Sequence, residues 1–388
     1  MSVFAPPPRP TSLLGYHRIL SPNAAVKVAP IAFGGISIGS VWSSQFGVNE
    51  DPFSLLDAYF ELGGNFIDTA NSYQAETSEK SIGEWMVKRG NRDQIVLATK
   101  YSAGYRGSSR EEDPIQSNFS GNSVKCMHVS VHASLKKLQT DYIDLLYVHW
   151  WDFATSVEEV MRGLHVLVMQ GKILYLGVSN TPAWVVVKAN EFAKAHGLTT
   201  FSVYQGKWNA AFRDMEAEII PMCEDQGLAI IPWAALGGGR LKTVEQRKKD
   251  ATSPSARSEV GLREKDIKVS ELLERIAASK GSTLQAVAVA YLFQQSTYVF
   301  PIIGVQTVEH VKAMEDALKI VLTKEEVDSI HEVSDLEPLF PIPFLFNFRR
   351  DQKYDLTLTP GNQQQYQMGA WIDAPPKQSP YQPRINGL

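Results

Sequence analysis

Residues 142–149 read Tyr-Ile-Asp-Leu-Leu-Tyr-Val-His, a short apolar run that ends on a polar side chain. Runs of this kind recur along the chain, separated by longer segments whose apolar residues repeat with helical periodicity. Such alternation is typical of βαβ units and a parallel sheet. The sequence predicts eight strands, at 31–34, 65–69, 94–100, 142–149, 173–179, 201–205, 228–233 and 299–303.

Helix signals lie between the predicted strands. Asp51-Pro52 supplies a cap and a first-turn proline, and Gly63-Gly64 ends that helix. The predicted helices are 53–62, 77–88, 120–138, 156–169, one from Pro182 to Gly197, 214–226, 284–295 and 308–318. Eight strand-helix pairs with right-handed crossovers favour a closed (β/α)8 TIM barrel, an α/β fold, and we expect residues 1–388 to form one domain.

Several segments lie outside this repeat. Residues 1–14 are an N-terminal extension, and 15–28 are expected to form a hairpin that seals the barrel floor. Polar loops are expected after the third strand, at 102–119, and after the seventh, at 242–260. The tail at 337–388 is rich in Pro, Gln and aromatic residues, which predicts a draped lid or a partly disordered segment.

The composition of the chain argues against several classes of binding partner. The 388 residues carry 38 Lys and Arg against 42 Asp and Glu, a net charge of −4, which does not indicate a nucleic-acid groove. The two cysteines and eight histidines match no metal-ligand spacing. No run reaches the ~18 apolar residues of a membrane helix. We expect a cytoplasmic protein with no metal, no nucleic acid and no membrane partner; the pattern leaves its oligomeric state open.

Polar residues end the predicted strands. The reactive face of such a barrel is the carboxyl end of its strands, so polar residues there are functional candidates. Asp68, Lys100 and His149 end the second, third and fourth strands, and Tyr73 lies just beyond the second. The later strand ends supply Ser179, Asn180, Gln205 and Trp233.

These residue types suit proton transfer to or from a carbonyl oxygen. Lys100 and Asp68 each end an apolar strand, where an unpaired charge is costly, so we expect them to pair. The ammonium is then expected to lower the pKa of Tyr73 from ~10 and make its phenol a useful acid. His149 is expected to orient the substrate oxygen through a hydrogen bond.

Five motifs carry a family resemblance. They are Asn-Phe-Ile-Asp-Thr-Ala-Asn-Ser-Tyr at 65–73, Ala-Thr-Lys at 98–100, Asp-Leu-Leu-Tyr-Val-His at 144–149, Leu-Gly-Val-Ser-Asn at 176–180 and Pro-Ile-Ile-Gly at 301–304. In order and separation they resemble the aldo-keto reductases over roughly residues 12–335. The segments 64–71, 181–186 and 213–221 are similar to the fungal aryl-alcohol dehydrogenase branch, which includes norsolorinic-acid reductase-like proteins.

The resemblance implies roles for named residues. Asp68, Tyr73, Lys100 and His149 would be the catalytic tetrad, with Tyr73 as the acid. Residues expected to contact a nicotinamide cofactor are Ser179, Asn180 and Gln205 at the carboxamide, Trp233 at the ring, Leu236, Gly238 and Arg240 at the pyrophosphate, and Gly304, Gln306 and His310 after the last strand.

One position departs from the family pattern. Gln306 stands where the family usually has an arginine that grips the 2′-phosphate of NADP. Losing that charge-assisted contact would cost roughly 1.5–3 kcal/mol. The expected cofactor is therefore NADP, with NAD as an alternative, and Arg240 or Lys312 would have to compensate.

Aromatic residues favour a flat substrate. Trp42, Trp150, Trp151 and Trp208 follow predicted strand ends and are expected either to line a pocket for an aromatic carbonyl or alcohol or to belong to the core. The leading hypothesis is an NAD(P)H-dependent reductase of aromatic or polyketide aldehydes and ketones, reversible with aryl alcohols. The alternative is a regulatory subunit that binds the nicotinamide and resembles potassium-channel β subunits.

Overall fold

The computed structural model describes residues 7–252, 261–346, 363–369 and 380–381. Its strands, in chain order, are β1 Arg18–Ser21, β2 Ala24–Val28, β3 Ala32–Gly34, β4 Phe66–Asp68, β5 Val96–Tyr101, β6 Ile143–Val148, β7 Ile173–Ser179, β8 Phe201–Lys207, β9 Ala229–Trp233 and β10 Ile302–Gly304.

Strands β3 to β10 form one parallel eight-stranded sheet in the order β10-β3-β4-β5-β6-β7-β8-β9. A parallel bridge between Ile230 and Val299 joins the two edges. The Ile230 amide donates to Tyr298 O at 2.8 Å, and the Phe300 amide donates to Ile230 O at 2.9 Å. The sheet thus curls into a nearly closed barrel, which confirms the predicted (β/α)8 class.

Helices follow most of the strands of this sheet. In chain order they are α1 Ser43–Phe46, α2 Pro52–Glu61, α3 Thr77–Arg89, α4 Val124–Leu138, α5 Val157–Met169, α6 Ala183–Ala195, α7 Ile219–Gln226, α8 Val244–Thr252, α9 Glu264–Ser279, α10 Leu284–Phe293, α11 Val308–Lys312, α12 Lys324–Val333, α13 Ile342–Leu345 and α14 Gln364–Gly369. Within the described ranges, no helix has the length and apolar character needed to cross a membrane.

Some predicted boundaries are wrong. The segment 242–260 was expected to be a loop, yet it contains α8; residues 253–260 lie outside the described ranges. Helices α9 and α12 were not predicted, although α12 starts with a reciprocal Thr323 and Glu326 capping box that its sequence displays. The predicted helix at 308–318 is a short α-helix followed by a 3-10 turn, Ala313–Lys319.

The N-terminal hairpin closes the barrel floor, as predicted. β1 and β2 pair in antiparallel fashion, and their side chains Leu20, Ala24 and Val28 are fully buried or nearly so. They belong to the same apolar cluster as the barrel-interior residues Phe66 and Phe300. The floor end of the barrel is therefore packed with hydrocarbon, which leaves the opposite end for polar chemistry.

The tail at 337–388, predicted to be a lid or partly disordered, is described only at 337–346, 363–369 and 380–381. The Tyr381 ring lies 5.4 Å from the Phe293 ring, and the Arg18 guanidinium lies 4.3 Å from the Tyr381 centroid. Arg18 belongs to the floor hairpin and donates to Val299 O at 2.9 Å. This end of the tail therefore lies at the floor; most of 347–388 lies outside the described residues.

A buried ion pair fixes the chain after β8. Arg213 Nη2 lies 2.6 Å from Glu216 Oε2, and the two side chains are 2% and 0% exposed. Glu216 also accepts hydrogen bonds from Trp208 Nε1 at 2.9 Å and Tyr291 OH at 3.1 Å. The carboxylate thereby ties the loop after β8 to α10.

We expect Arg213→Met to lower the free energy of unfolding by about 3–5 kcal/mol, since Glu216 would keep a buried charge without its cation. Thermal denaturation followed by circular dichroism measures the loss. The control is Lys194→Met, which breaks the exposed pair with Glu191 and should leave the melting temperature nearly unchanged. Equal melting temperatures for the two variants would contradict this role.

Candidate active site

The carboxyl ends of the strands bring the predicted catalytic residues together. Asp68 is the last residue of β4, Lys100 is next to last in β5, and His149 follows β6. Lys100 Nζ lies 5.0 Å from the centroid of the Tyr73 ring. The ring centroids of Tyr73 and His149 are 6.0 Å apart. One cluster therefore contains a phenol, an ammonium, a carboxylate and an imidazole.

The Lys100 ammonium is fully enclosed and fully paired. Its Nζ donates to Asp68 Oδ1 at 2.5 Å and to Thr69 O at 2.6 Å, and the Lys100 side chain is 0% exposed. Burial alone would lower the pKa of Lys100, but the charge of Asp68, joined by that of Tyr73 once its phenol ionises, outweighs that effect and raises it. The ammonium therefore stays charged at neutral pH, as the sequence predicted.

Asp68 also reaches across the barrel. Its Oδ2 accepts a hydrogen bond from Gln205 Nε2 at 2.8 Å. Gln205 lies on β8, on the far side of the barrel from β4 in the strand order. The resemblance assigned Gln205 to the nicotinamide carboxamide. The bond to Asp68 uses one of the two N–H donors of the Gln205 amide, so the other donor and the amide oxygen are not committed to Asp68.

The expected pKa of Tyr73 is wrong in direction. Burial among protein atoms raises the pKa of Tyr73 above its usual value, and the Lys100 charge opposes this shift without overcoming it. The phenol therefore holds its proton at neutral pH. It is in the form required of a proton donor, whereas the Lys100 charge becomes decisive only once that proton has left.

His149 is neutral. Burial, and to a lesser degree the Lys100 charge, lower the pKa of His149 to about 3. Its Nδ1 is buried and has no hydrogen-bond partner. A neutral imidazole has one N–H donor and one acceptor, so this ring can hydrogen-bond an oxygen without competing as an acid.

The loop that presents Tyr73 is strained. Gln74, Ala75 and Glu76 follow it with φ values of 52°, 50° and 75°. Left-handed conformations in residues other than glycine cost on the order of 1–3 kcal/mol each and cluster at functional sites. The sequence did not indicate Gln74, whose side chain donates to Ile36 O at 2.8 Å and accepts from the Trp42 amide at 2.7 Å.

The neighbouring strand ends are linked to one another. Asn180 Nδ2 donates to Ser179 Oγ at 2.9 Å and to His149 O at 3.2 Å. Asn180 Oδ1 accepts from Trp233 Nε1 at 3.1 Å. The residues predicted to surround a nicotinamide therefore form one hydrogen-bonded rim beside His149.

The glycine run after β9 has the backbone that phosphate approach requires. Gly237, Gly238 and Gly239 have φ values of 68°, 66° and 89°, a region that favours glycine. A Cβ at Gly238 would meet no heavy atom closer than 4.0 Å, so its backbone is open to a ligand. Leu236 and Arg240 flank this run, as the sequence predicted.

Gln306 has a role that the sequence did not show. The side-chain Nε2 of Gln306 donates to Phe46 O at 2.5 Å, and the backbone carbonyl of Gln306 accepts from the Glu50 backbone amide at 2.9 Å. The amide side chain is therefore used to hold the loop after β3. Gly304 and His310, the other two residues expected near a 2′-phosphate, are exposed beside it.

The four candidate pocket tryptophans divide into two groups. Trp42 lies 6.5 Å from the Tyr73 ring, and Trp150 lies 5.2 Å from the His149 ring and is 54% exposed. Trp151 is 9% exposed, and Trp208 is completely buried with its N–H bound to Glu216. Trp208 is therefore a core residue, the second of the two alternatives that the sequence left open for these tryptophans.

We expect the His149 imidazole to show no titration between pH 5 and 8, because its folded-state pKa is about 3. Since that value lies below the reference of ~6.5, the ring gains a proton only on unfolding and costs stability as the pH falls from ~6.5 toward 3. NMR of the imidazole signals, assigned with His149→Gln, measures this. A midpoint between pH 5 and 8 would contradict it.

Comparison with known proteins agrees with this geometry. The model of the aldo/keto reductase family matches residues 30–335. A norsolorinic acid reductase of Emericella nidulans is 49% identical over 98% of this chain and 97% of its own length. Norsolorinic acid reductase B of Aspergillus parasiticus is 50% identical, covering 86% and 88%.

A third relative is the NADP(+) aryl-alcohol dehydrogenase of Phanerodontia chrysosporium, 49% identical over 88% of this chain and 91% of its own. The family match covers the whole barrel and contains every residue of the cluster around Lys100. The chain is an oxidoreductase and belongs to the aldo/keto reductase family.

Proposed function

We propose that this enzyme reduces aromatic or polyketide aldehydes and ketones with NADPH, and oxidises aryl alcohols in reverse. The observation that carries the proposal is the Tyr73 phenol, protonated and lying between Lys100 and His149 at the barrel mouth. Trp42 and Trp150 flank these two rings and suit a flat substrate. The names of the relatives also support an aromatic substrate.

The residues at the mouth fit a nicotinamide dinucleotide. The rim of Ser179, Asn180 and Trp233 would hold the nicotinamide end, and the open glycine run would receive the pyrophosphate. When bound, the cofactor supplies or accepts the hydride. The protein then has only to bind the carbonyl, orient it and move one proton.

Tyr73 is the proposed proton donor. The carbonyl oxygen would lie against the Tyr73 hydroxyl and the neutral His149 ring, whose hydrogen bond orients it. As charge develops on that oxygen, the Tyr73 O–H bond breaks and the proton moves to the oxygen. The Lys100 ammonium, 5.0 Å from the ring centroid, stabilises the phenolate that remains. In alcohol oxidation the phenolate takes the proton back.

The NADPH preference is proposed to come from Arg240. Lys207, Arg240 and Arg263 lie around the buried carboxylate of Asp266, so positive charge is in excess there. Burial and the charges of Arg240 and Arg263 lower the pKa of Lys207, a sign of this crowding. Because Gln306 is bound to Phe46 O, the 2′-phosphate would use Arg240 beside the glycine run.

Tyr73→Phe should lower kcat for aryl-aldehyde reduction by about 100- to 10,000-fold, the usual contribution of general acid catalysis. NADPH binding, followed by fluorescence, should persist. Tyr175→Phe is the matched control, because it removes a hydroxyl from β7 outside the cluster. Undiminished turnover in Tyr73→Phe would overturn the assignment of the proton donor.

Arg240→Met should raise the Kd of NADPH by about 10- to 100-fold, since one charge-assisted contact is worth roughly 1.5–3 kcal/mol. The Kd of NADH should change little, because NADH lacks the 2′-phosphate. Lys312→Met removes the other lysine or arginine named for this contact, an exposed side chain paired with Glu309, and should leave both Kd values nearly unchanged. Equal changes for the two cofactors would contradict the role of Arg240.

A further inference from the structure

A second lysine lies buried behind the Tyr73 loop. Lys137 is in the last turn of α4, yet its side chain is only 8% exposed. Lys136, its neighbour on the same helix, is exposed. A lysine at a helix end ordinarily extends into water, so the enclosed position of Lys137 calls for a structural or functional reason.

The Lys137 ammonium contacts residues that precede Tyr73 in the chain and residues that follow it. Its Nζ donates to Asn71 O at 3.0 Å. The same atom lies 3.1 Å from Glu76 Oε2 and 2.7 Å from Glu79 Oε2. One cation thus joins the backbone two residues before Tyr73 to carboxylates three and six residues after it.

The partners of Lys137 are themselves enclosed. The side chains of Glu76 and Glu79 are 8% and 0% exposed. Thr99 Oγ1, on β5 next to Lys100, donates to Glu79 Oε1 at 2.6 Å. Arg106, in the loop after β5, places its Nη1 3.4 Å from Glu76 Oε1. The cluster therefore connects the Tyr73 loop to the strand that carries Lys100.

The close packing of α3 and α4 makes these contacts reachable. A Cβ built at Gly83 on α3 would lie 2.4 Å from Lys137 O and 2.7 Å from Leu138 C. Any larger residue at this position would push α4 away from α3. Glycine at 83 therefore allows Lys137 to enter the space behind the loop.

The loop needs such an anchor. Gln74, Ala75 and Glu76 all have left-handed backbones, so the conformation that presents Tyr73 is not one the chain prefers on its own. Strained backbone of this kind persists only where surrounding contacts over-determine it. Lys137 contacts the chain at Asn71 and at Glu76, just before and at the end of the strained stretch.

We infer that Lys137 is a positioning residue for the proposed proton transfer: it holds the strained loop so that the Tyr73 hydroxyl stays within reach of the substrate oxygen. This inference rests on the proposed function, because Tyr73 must be the acid for its placement to matter. Lys137 itself lies behind the loop and acts only through it.

The test compares Lys137→Met with the control Lys136→Met in the full-length enzyme. The measurements are kcat and KM for aryl-aldehyde reduction, the Kd of NADPH and the melting temperature. Displacing a reacting group by about 1 Å can cost 100-fold in rate, so we expect kcat to fall about 10- to 100-fold in Lys137→Met. KM and the Kd of NADPH should change less than about threefold, and Lys137→Arg should recover part of the loss.

A double variant separates positioning from general stability. In a Tyr73→Phe background, Lys137→Met should lower the residual rate no further, since the group it positions is already gone. A lower melting temperature with unchanged kcat at 25 °C would reduce Lys137 to a fold-stabilising residue and overturn the inference. Independent losses that multiply in the double variant would do the same.

Glu76→Gln covers the case in which Lys137→Met does not fold. It removes one ion-pair partner while Lys137 keeps Asn71 and Glu79, so kcat should fall several-fold, again only when Tyr73 is present. Unchanged kcat in Glu76→Gln would then overturn the inference. If Tyr73→Phe is inactive but Lys137→Met is fully active, only the role of Lys137 fails. A fully active Tyr73→Phe removes the proposed proton donor, and a wild-type enzyme that reduces no aryl aldehyde with NADPH removes the proposed function itself.

Discussion

A buried ammonium is the constraint on which this site depends. Lys100 has no contact with solvent, so its charge is tolerable only with close partners, and Asp68 and Thr69 O supply them at 2.5 and 2.6 Å. The pair joins β4 to β5, and Gln205 extends it to β8 on the other side of the barrel. The ammonium that would stabilise a phenolate therefore belongs to an ion pair that also holds the barrel mouth together.

The site depends on two kinds of support. Regular strands place Asp68, Lys100 and Gln205 with little freedom, since neighbouring strands fix their register. Tyr73 stands on a strained loop and needs side-chain contacts from outside the barrel. Gln74 links that loop to the segment after β3, and Lys137 links it to α4. A precise reacting group is thus carried by an irregular segment whose rigidity comes from its surroundings.

The two ends of the barrel differ in the polarity of their side chains. The floor is filled by the hairpin and by apolar side chains such as Phe66 and Phe300, and Tyr381 packs beside it against Arg18. The mouth carries the charges, the neutral imidazole of His149 and the open glycine run. Apolar packing at the floor stabilises the fold. This stabilisation offsets the free-energy cost of the strained backbone and the buried polar groups at the mouth.

The sequence by itself determined the barrel class and the residues at the strand ends. Hydrophobic patterns with periods of 2 and 3.6 residues are local, and they locate the strands and helices. Functional residues of such a barrel lie at the carboxyl ends of its strands, and this rule then selects Asp68, Lys100 and His149 without coordinates. The sequence did not predict α9. It also did not separate the core residue Trp208 from the mouth residue Trp42, because both are aromatic residues that follow strands. Burial and pairing between distant segments are not local properties. Only the tertiary structure therefore decided that Gln306 holds Phe46 O, that burial keeps the proton on Tyr73, and that Lys137 lies behind it.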